Sequence, residues 1–171
     1  MKVSLLDPYT SRAILTSASQ RTRVGRAAGG LSGAAVEAIL PRVGGPDDAA
    51  QLEAAIERYN EAWNAHDVDA IVALHAPGMV FQNHTAAEQV EGEAVRGHIA
   101  RIFENWPDLA FRGRRLYARD GLVVSEWTAT ATAPDGRKLE WDGVDIFPFR
   151  DGLILRKDVY SSSHNPRVLA S

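Results

Sequence analysis

The chain has 171 residues, of which 45% are hydrophobic, a formal net charge of −3 and no cysteine. This is enough chain for one self-supporting core plus an appendage, and it excludes disulfides, thiolate metal ligation and a thiol nucleophile. No apolar run approaches the ~20 residues needed to cross a bilayer, and Asp7, Pro8 and Arg12 interrupt any secretory h-region. A cytoplasmic protein without a membrane partner is the expectation.

Residues 1–45 hold six basic groups (Lys2, Arg12, Arg21, Arg23, Arg26 and Arg42) against two acids (Asp7 and Glu37), a surplus of four that leaves −7 for the remainder. The segment is rich in Ser, Gly and Ala and can bury little apolar surface, so it reads as a partly mobile basic extension. A transit peptide or an arm packed on a neighbouring subunit are the alternatives. Leu31–Leu40 reads as a short helix ended by Pro41 and Gly44-Gly45. The Gly29-Gly30-Leu31-Ser32-Gly33 run lacks both the Gly-Lys-Ser/Thr ending of a phosphate loop and the Gly-x-Ser-x-Gly order of a nucleophile elbow.

Pro46-Asp47-Asp48 opens a helix, with acids at the positive end of the dipole. Leu52, Ile56, Tyr59 and Trp63 recur along it at helical spacing. Asn64 to Asp67 breaks it, and Val68 to Leu74 forms a second helix stopped by Pro77-Gly78. Met79-Val80-Phe81 reads as a short strand followed by a polar loop. Val95, Ile99, Ile102, Phe103 and Trp106 mark a third helix, closed by Pro107. From Leu109 the pattern alternates, predicting strands near 109–118, 121–132, 138–149 and 153–162. The turns between them carry Asp120-Gly121, Asp135-Gly136 and Asp151-Gly152, suited to positive φ. Helices first and a meander last is an α+β layout in which the helices cover one face of an antiparallel sheet. The domain is read as 46–163, with 164–171 as a tail.

These residues resemble the SnoaL-like branch of the nuclear-transport-factor-2-like superfamily. The resemblance lies in Tyr59–Leu74, in Glu91-Gly92 before the third helix, in Val123–Thr128 with Trp127, and in Gly143–Ile154. It implies a cone of three N-terminal helices on a strongly bent antiparallel sheet, and a homodimer formed through the outer sheet face. Bacterial ketosteroid isomerases are similar in two further elements. One is Arg58-Tyr59 followed by Asn64-Ala65-His66-Asp67; the other is Asp145-Ile146-Phe147-Pro148-Phe149.

That likeness implies Tyr59 and a protonated Asp145 as donors to an oxyanion, because an apolar pocket disfavours the carboxylate. The family's carboxylate base falls at Asn83, an amide that takes up no proton near neutral pH, so His84 is expected to move the proton, with Asn83 helping. Trp63, Phe103, Trp127 and Phe147 are expected to wall the pocket.

The expected function is a cofactor-independent acid/base enzyme on a small apolar carbonyl compound, of isomerase, polyketide-cyclase or dehydratase type, working through an enol(ate). The alternative is a non-catalytic small-molecule-binding or dimerisation module. Epoxide hydrolysis is disfavoured because Trp127-Thr128-Ala129 stands where Arg-x-Asp is needed. His66, His75 and His98 are read as solvated, and no His-x-x-x-His pair suggests a metal. Arg112, Arg114, Arg115 and Arg119 read as a solvated strand face rather than a nucleic-acid surface.

Overall fold

Local sequence chemistry sets the order of elements in the computed structural model, which describes residues 46–170; the expectations for residues 1–45 lie outside the described part. Helix α1 runs Pro46–Asn64 and buries Leu52, Ile56, Tyr59 and Trp63. The chain then reverses through His66, at φ 54°. Asp67 caps helix α2 (Val68–Val72), accepting a 2.9 Å hydrogen bond from the Ala70 amide. Helix α3 (Ala94–Asn105) buries Val95, His98, Ile99 and Phe103 along one stripe.

The strands are β1 (His75–Asn83), β2 (Glu88–Glu91), β3 (Ala110–Arg119), β4 (Leu122–Thr132), β5 (Lys138–Arg150), β6 (Leu153–Ser161) and β7 (Arg167–Val168). Hairpin turns at Asp120-Gly121 (φ 49° and 72°) and Asp151-Gly152 (φ 52° and 77°) use the left-handed region at both positions, matching the twist of the paired strands.

One strongly curved, unclosed sheet results, in the order β2-β1-β6-β5-β4-β3, with β7 added to β5. Helix α1 lies against β3 and β4, and α3 against β1 and β2. Two expectations need correction. The sheet is mixed, since β1 runs parallel to β6. The third helix follows two strands rather than one, because the polar loop after β1 folds back as β2 to pair Val80 with Glu91 and Phe81 with Val90. The presumed tail also contributes, as Arg167-Val168 pairs with Leu139 and Glu140. Among the described residues no helix is long and apolar enough to cross a membrane.

Alternation along the long strands decides what enters the concave face. Val123, Ser125, Trp127, Ala129 and Ala131 of β4 are buried, as are Asp145, Phe147 and Phe149 of β5 and Lys157 and Val159 of β6. Gly143 lies directly opposite Trp127 in the ladder. A Cβ there would sit 2.3 Å from the indole ring, so the ring lies flat across bare backbone. Only glycine admits that approach.

Candidate functional site

Tyr59 from α1 is fully buried, packed edge-on against Trp63 and Phe147 at centroid distances of 6.2 and 5.6 Å. A buried phenol needs a hydrogen-bond partner. His75, at the start of β1, supplies it, with Nε2 3.1 Å from the Tyr59 hydroxyl. Burial, and then the charge of Lys157, lower the His75 pKa from its ordinary 6.5 to about 4. Burial raises that of Tyr59 far above the usual phenol range. Both groups are therefore neutral at pH 7 and share one hydrogen bond.

Asp145 sits on the concave face of β5, paired in register with Ser125 of β4 and Val159 of β6. Its closest charged neighbour is Lys157, whose Nζ lies 3.0 Å from Asp145 Oδ2, both side chains being almost fully enclosed. Four aromatic rings surround the same Nζ: Trp63 at 4.5 Å, Tyr59 at 5.3 Å, and Phe81 and Phe147 each at 5.6 Å. Burial pushes the Asp145 carboxyl up, while the neighbouring Lys157 ammonium and the Trp127 indole N–H pull it down. Burying a net charge here would cost several kcal/mol. Each of the two charges is therefore balanced by the other.

Four polar atoms on this inner surface have no hydrogen-bond partner of standard geometry: Asp145 Oδ1, Ser125 Oγ, Trp63 Nε1 and Trp127 Nε1. Unpaired buried polar atoms are uncommon in folded proteins, and a cluster of them is a place for a ligand or ordered water to bind. His75 also lines an open cleft of about 740 Å³ formed with Val72, Met79, Gly92, Glu93 and Arg96 among others. It thus joins the cleft to buried Tyr59 through one hydrogen bond.

The residues expected at the site divide. Tyr59, Asp145, Trp63 and Phe147 all meet around Lys157. Trp127 turns its N–H toward Asp145 and packs its ring on Phe111 at 5.3 Å. Phe103 stands one layer back, against Trp63 at 5.2 Å and stacked on His66 at 4.3 Å. Tyr59 and Asp145, expected together as oxyanion donors, each have a partner of their own, in Tyr59–His75 and Asp145–Lys157.

His84 and Asn83 do not join them. His84 lies past the end of β1 on the outer face, its Nε2 2.8 Å from Asp158 Oδ1 and its ring stacked on Tyr160 at 4.2 Å. Asp158 and Tyr160 alternate with the inward Lys157 and Val159, so the sheet itself separates His84 from Asp145. Asn83 Oδ1 accepts hydrogen bonds from the Thr85 and Ala86 amides, both at 3.1 Å, and so caps the turn into β2.

The solvated readings of three histidines are also corrected. His75 is engaged as described. His66 donates from Nε2 to the Leu109 carbonyl at 2.8 Å. His98 is buried beside Phe81, its pKa lowered by burial and by Arg101. Lys157 and His75 are the residues that sequence reasoning missed. The alternation that groups Lys157 with Val159 was visible in the sequence, but not the sense of that face. Among the described residues no group of three His, Cys, Asp or Glu is arranged to hold a metal ion.

Comparison with known proteins gives a consistent picture. The model of the SnoaL-like domain matches residues 56–157. No curated protein matches the chain. Among solved structures, the epoxide hydrolase/cyclase-like enzyme SalBIII, of pyran ring formation in polyether salinomycin, superposes with a TM-score of 0.64 at 20% identity, covering 71% of this chain and 98% of its own. The proposed SnoaL-like polyketide cyclase of Jannaschia sp. CCS1 gives 0.61 at 22% identity, covering 71% and 88%. TerC, crystallised with polyporic acid, gives 0.61 at 16% identity, covering 67% and 93%. At these identities the superpositions establish the fold alone.

Proposed function

The chain belongs to the SnoaL-like domain family, and on that premise we propose that it is a cofactor-independent acid/base enzyme acting on a small, largely apolar carbonyl compound through an enol(ate). The observation that carries this reading is the buried Asp145–Lys157 pair, which lies inside an aromatic enclosure and leaves Asp145 Oδ1 without a hydrogen-bond partner of standard geometry. In its carboxylate form Asp145 takes a proton from the carbon next to the carbonyl. The charge that develops on oxygen is met by the Lys157 ammonium, with the Tyr59 hydroxyl and the indole N–H groups of Trp63 and Trp127 as further donors. Fixed donors in a site that excludes water are worth far more than the same groups in solution. The fold neighbours named for cyclisation support a ring-forming or isomerising outcome, since both begin with such a proton transfer. We also propose a homodimer through the outer sheet face, where Tyr117, Leu122 and Tyr160 are exposed; a monomer by analytical ultracentrifugation would refute it.

The proton-transfer reading is tested without the physiological substrate, by following exchange of the α-hydrogens of cyclohexanone into D2O by NMR. Wild-type protein is expected to accelerate exchange, and Asp145→Asn to abolish the acceleration. Tyr59→Phe, which removes one oxyanion donor, should lower it by roughly 10²–10³. Full exchange activity in a folded Tyr59→Phe protein would overturn the assignment. Binding of cyclohexanone without any exchange would favour a non-catalytic binding module instead, a reading supported by how completely the rings enclose Lys157.

A further inference from the structure

We propose that Lys157 acts as a nucleophile, forming a covalent imine with the carbonyl carbon of a small ketone or aldehyde, with Asp145 as the group that passes the protons. The proposal deepens the acid/base reading above and rests on it for the substrate class. Three observations carry it.

First, Lys157 is one of only three lysines in the chain, with Lys2 and Lys138, and it is 5% exposed. A long cationic side chain is seldom placed in a core when an apolar residue would fill the same space at less cost. Second, its ammonium has three N–H donors, but among the described residues it has one oxygen partner, Asp145 Oδ2 at 3.0 Å. The remaining protons face the rings of Trp63, Tyr59, Phe81 and Phe147 at 4.5–5.6 Å. Third, the second oxygen of that carboxylate and the hydroxyl of Ser125, directly across the ladder, have no hydrogen-bond partner of standard geometry. Polar groups able to handle a carbonyl oxygen thus lie beside the amine.

The chemistry balances with these groups alone. The Lys157 ammonium passes a proton to Asp145, leaving an amine and a carboxylic acid. The amine nitrogen bonds to the carbonyl carbon while the C=O π pair moves to oxygen. Oxygen takes the acid's proton, and the nitrogen returns one to Asp145, giving a neutral carbinolamine beside a carboxylic acid. Asp145 then protonates the hydroxyl, which leaves as water, and the nitrogen lone pair closes the C=N bond. The products are a cationic iminium, a carboxylate and one water.

The site begins and ends with a cation on Nζ facing a carboxylate. The rings that stabilise the ammonium through their negative faces stabilise the iminium in the same way, so no new charge has to be accommodated. The iminium acidifies the neighbouring C–H, and Asp145 is beside it to remove that proton. A lysine desolvated in an apolar pocket is a general means of activating an amine for this reaction. His75, one hydrogen bond from Tyr59, lines the open cleft and marks the side from which a ketone would have to approach.

Reductive trapping tests the proposal. The full chain is incubated with cyclohexanone and sodium cyanoborohydride, and the site of cyclohexyl addition is found by peptide mass mapping. Lys157 should be labelled at least about tenfold faster than exposed Lys138, and Lys157→Arg, which keeps the cation beside Asp145 but cannot form the adduct, should lose the fast phase. Labelling of Lys138 while Lys157 stays unmodified would overturn the proposal; should Lys157→Arg fail to fold, the wild-type ratio decides alone. The α-hydrogen exchange assay separates this inference from the broader reading. Exchange at the wild-type rate in Lys157→Arg refutes the imine and leaves the acid/base function standing. Trapping at Lys157 without catalysed exchange supports the imine and refutes the enol(ate) function. Absence of both trapping at Lys157 and catalysed exchange in the wild-type protein refutes both.

Discussion

Lys157 and Asp158 are consecutive residues of one strand, yet they form ion pairs in opposite environments. Inward, Lys157 meets Asp145 with side chains 7% and 6% exposed; outward, Asp158 meets His84 with 16% and 29% exposed, and also binds Arg156 at 2.7 Å. The separations, 3.0 and 2.8 Å, are almost the same. What differs is the surrounding medium. Water competes for the outer charges and screens them, whereas rings replace water around the inner pair and leave each partner dependent on the other. The outer network brings Asp158 below its ordinary pKa through hydrogen bonds from Arg156 and His84 that outweigh burial. The inner pair holds a carboxyl whose burial raises it against the pull of its cation. Similar distances thus give a solvated brace on one face and an enclosed, mutually dependent pair on the other.

The largest effect should come from breaking the inner pair. Asp145→Ala leaves an ammonium among four rings, and urea denaturation should show a loss of about 3–5 kcal/mol. Replacing both partners by apolar residues, as in Asp145→Leu with Lys157→Met, should recover most of that loss. A double variant less stable than either single one would contradict the dependence of each charge on the other. Next, Gly143→Ala should cost about 1–3 kcal/mol and alter the near-ultraviolet circular dichroism, because the added methyl displaces the Trp127 indole. An unchanged spectrum and melting curve would show that the ring is not held there.

A smaller effect should appear with pH. The folded-state pKa of His75, about 4, lies below its unfolded value near 6.5. Below about 6.5 the unfolded chain takes up a proton at this site that the folded chain refuses. Its contribution to stability is therefore complete above pH 6.5 and declines as the pH falls toward 4. Melting temperatures across that window should fall less steeply for His75→Gln than for the wild type; parallel curves would contradict the shift. The least effect is expected on the outer face. His84→Ala should cost about 0.2–1 kcal/mol, with no change in cyclohexanone exchange. A large loss of exchange there would mean that the two faces communicate and would break the contrast.

Much of the architecture was legible because its signals are local. The Tyr59–Trp63 stripe, the Asn64–Asp67 break and the Asp-Gly turns each act over a few residues, and helix and strand limits follow them closely. Strand β2 was missed because Glu88–Glu91 offers only Val90 as an apolar anchor, and its pairing with β1 is set by the turn that Asn83 caps. β7 was missed for a related reason, since two residues carry no periodicity.

Within the site, Tyr59, Asp145, Trp63 and Phe147 could be nominated from helical spacing, strand alternation and family resemblance. Their partners could not. Period-two alternation sorts β6 into Lys157 with Val159 and Asp158 with Tyr160, and it is symmetric with respect to which set turns inward. The parallel pairing with β1 and the curvature of the sheet resolve that choice, turning a lysine into the aromatic interior and His84 out of it. The sequence by itself determined the elements and the donors available; the tertiary structure alone decided which charges share a medium without water, because burial depends on residues distant in the chain.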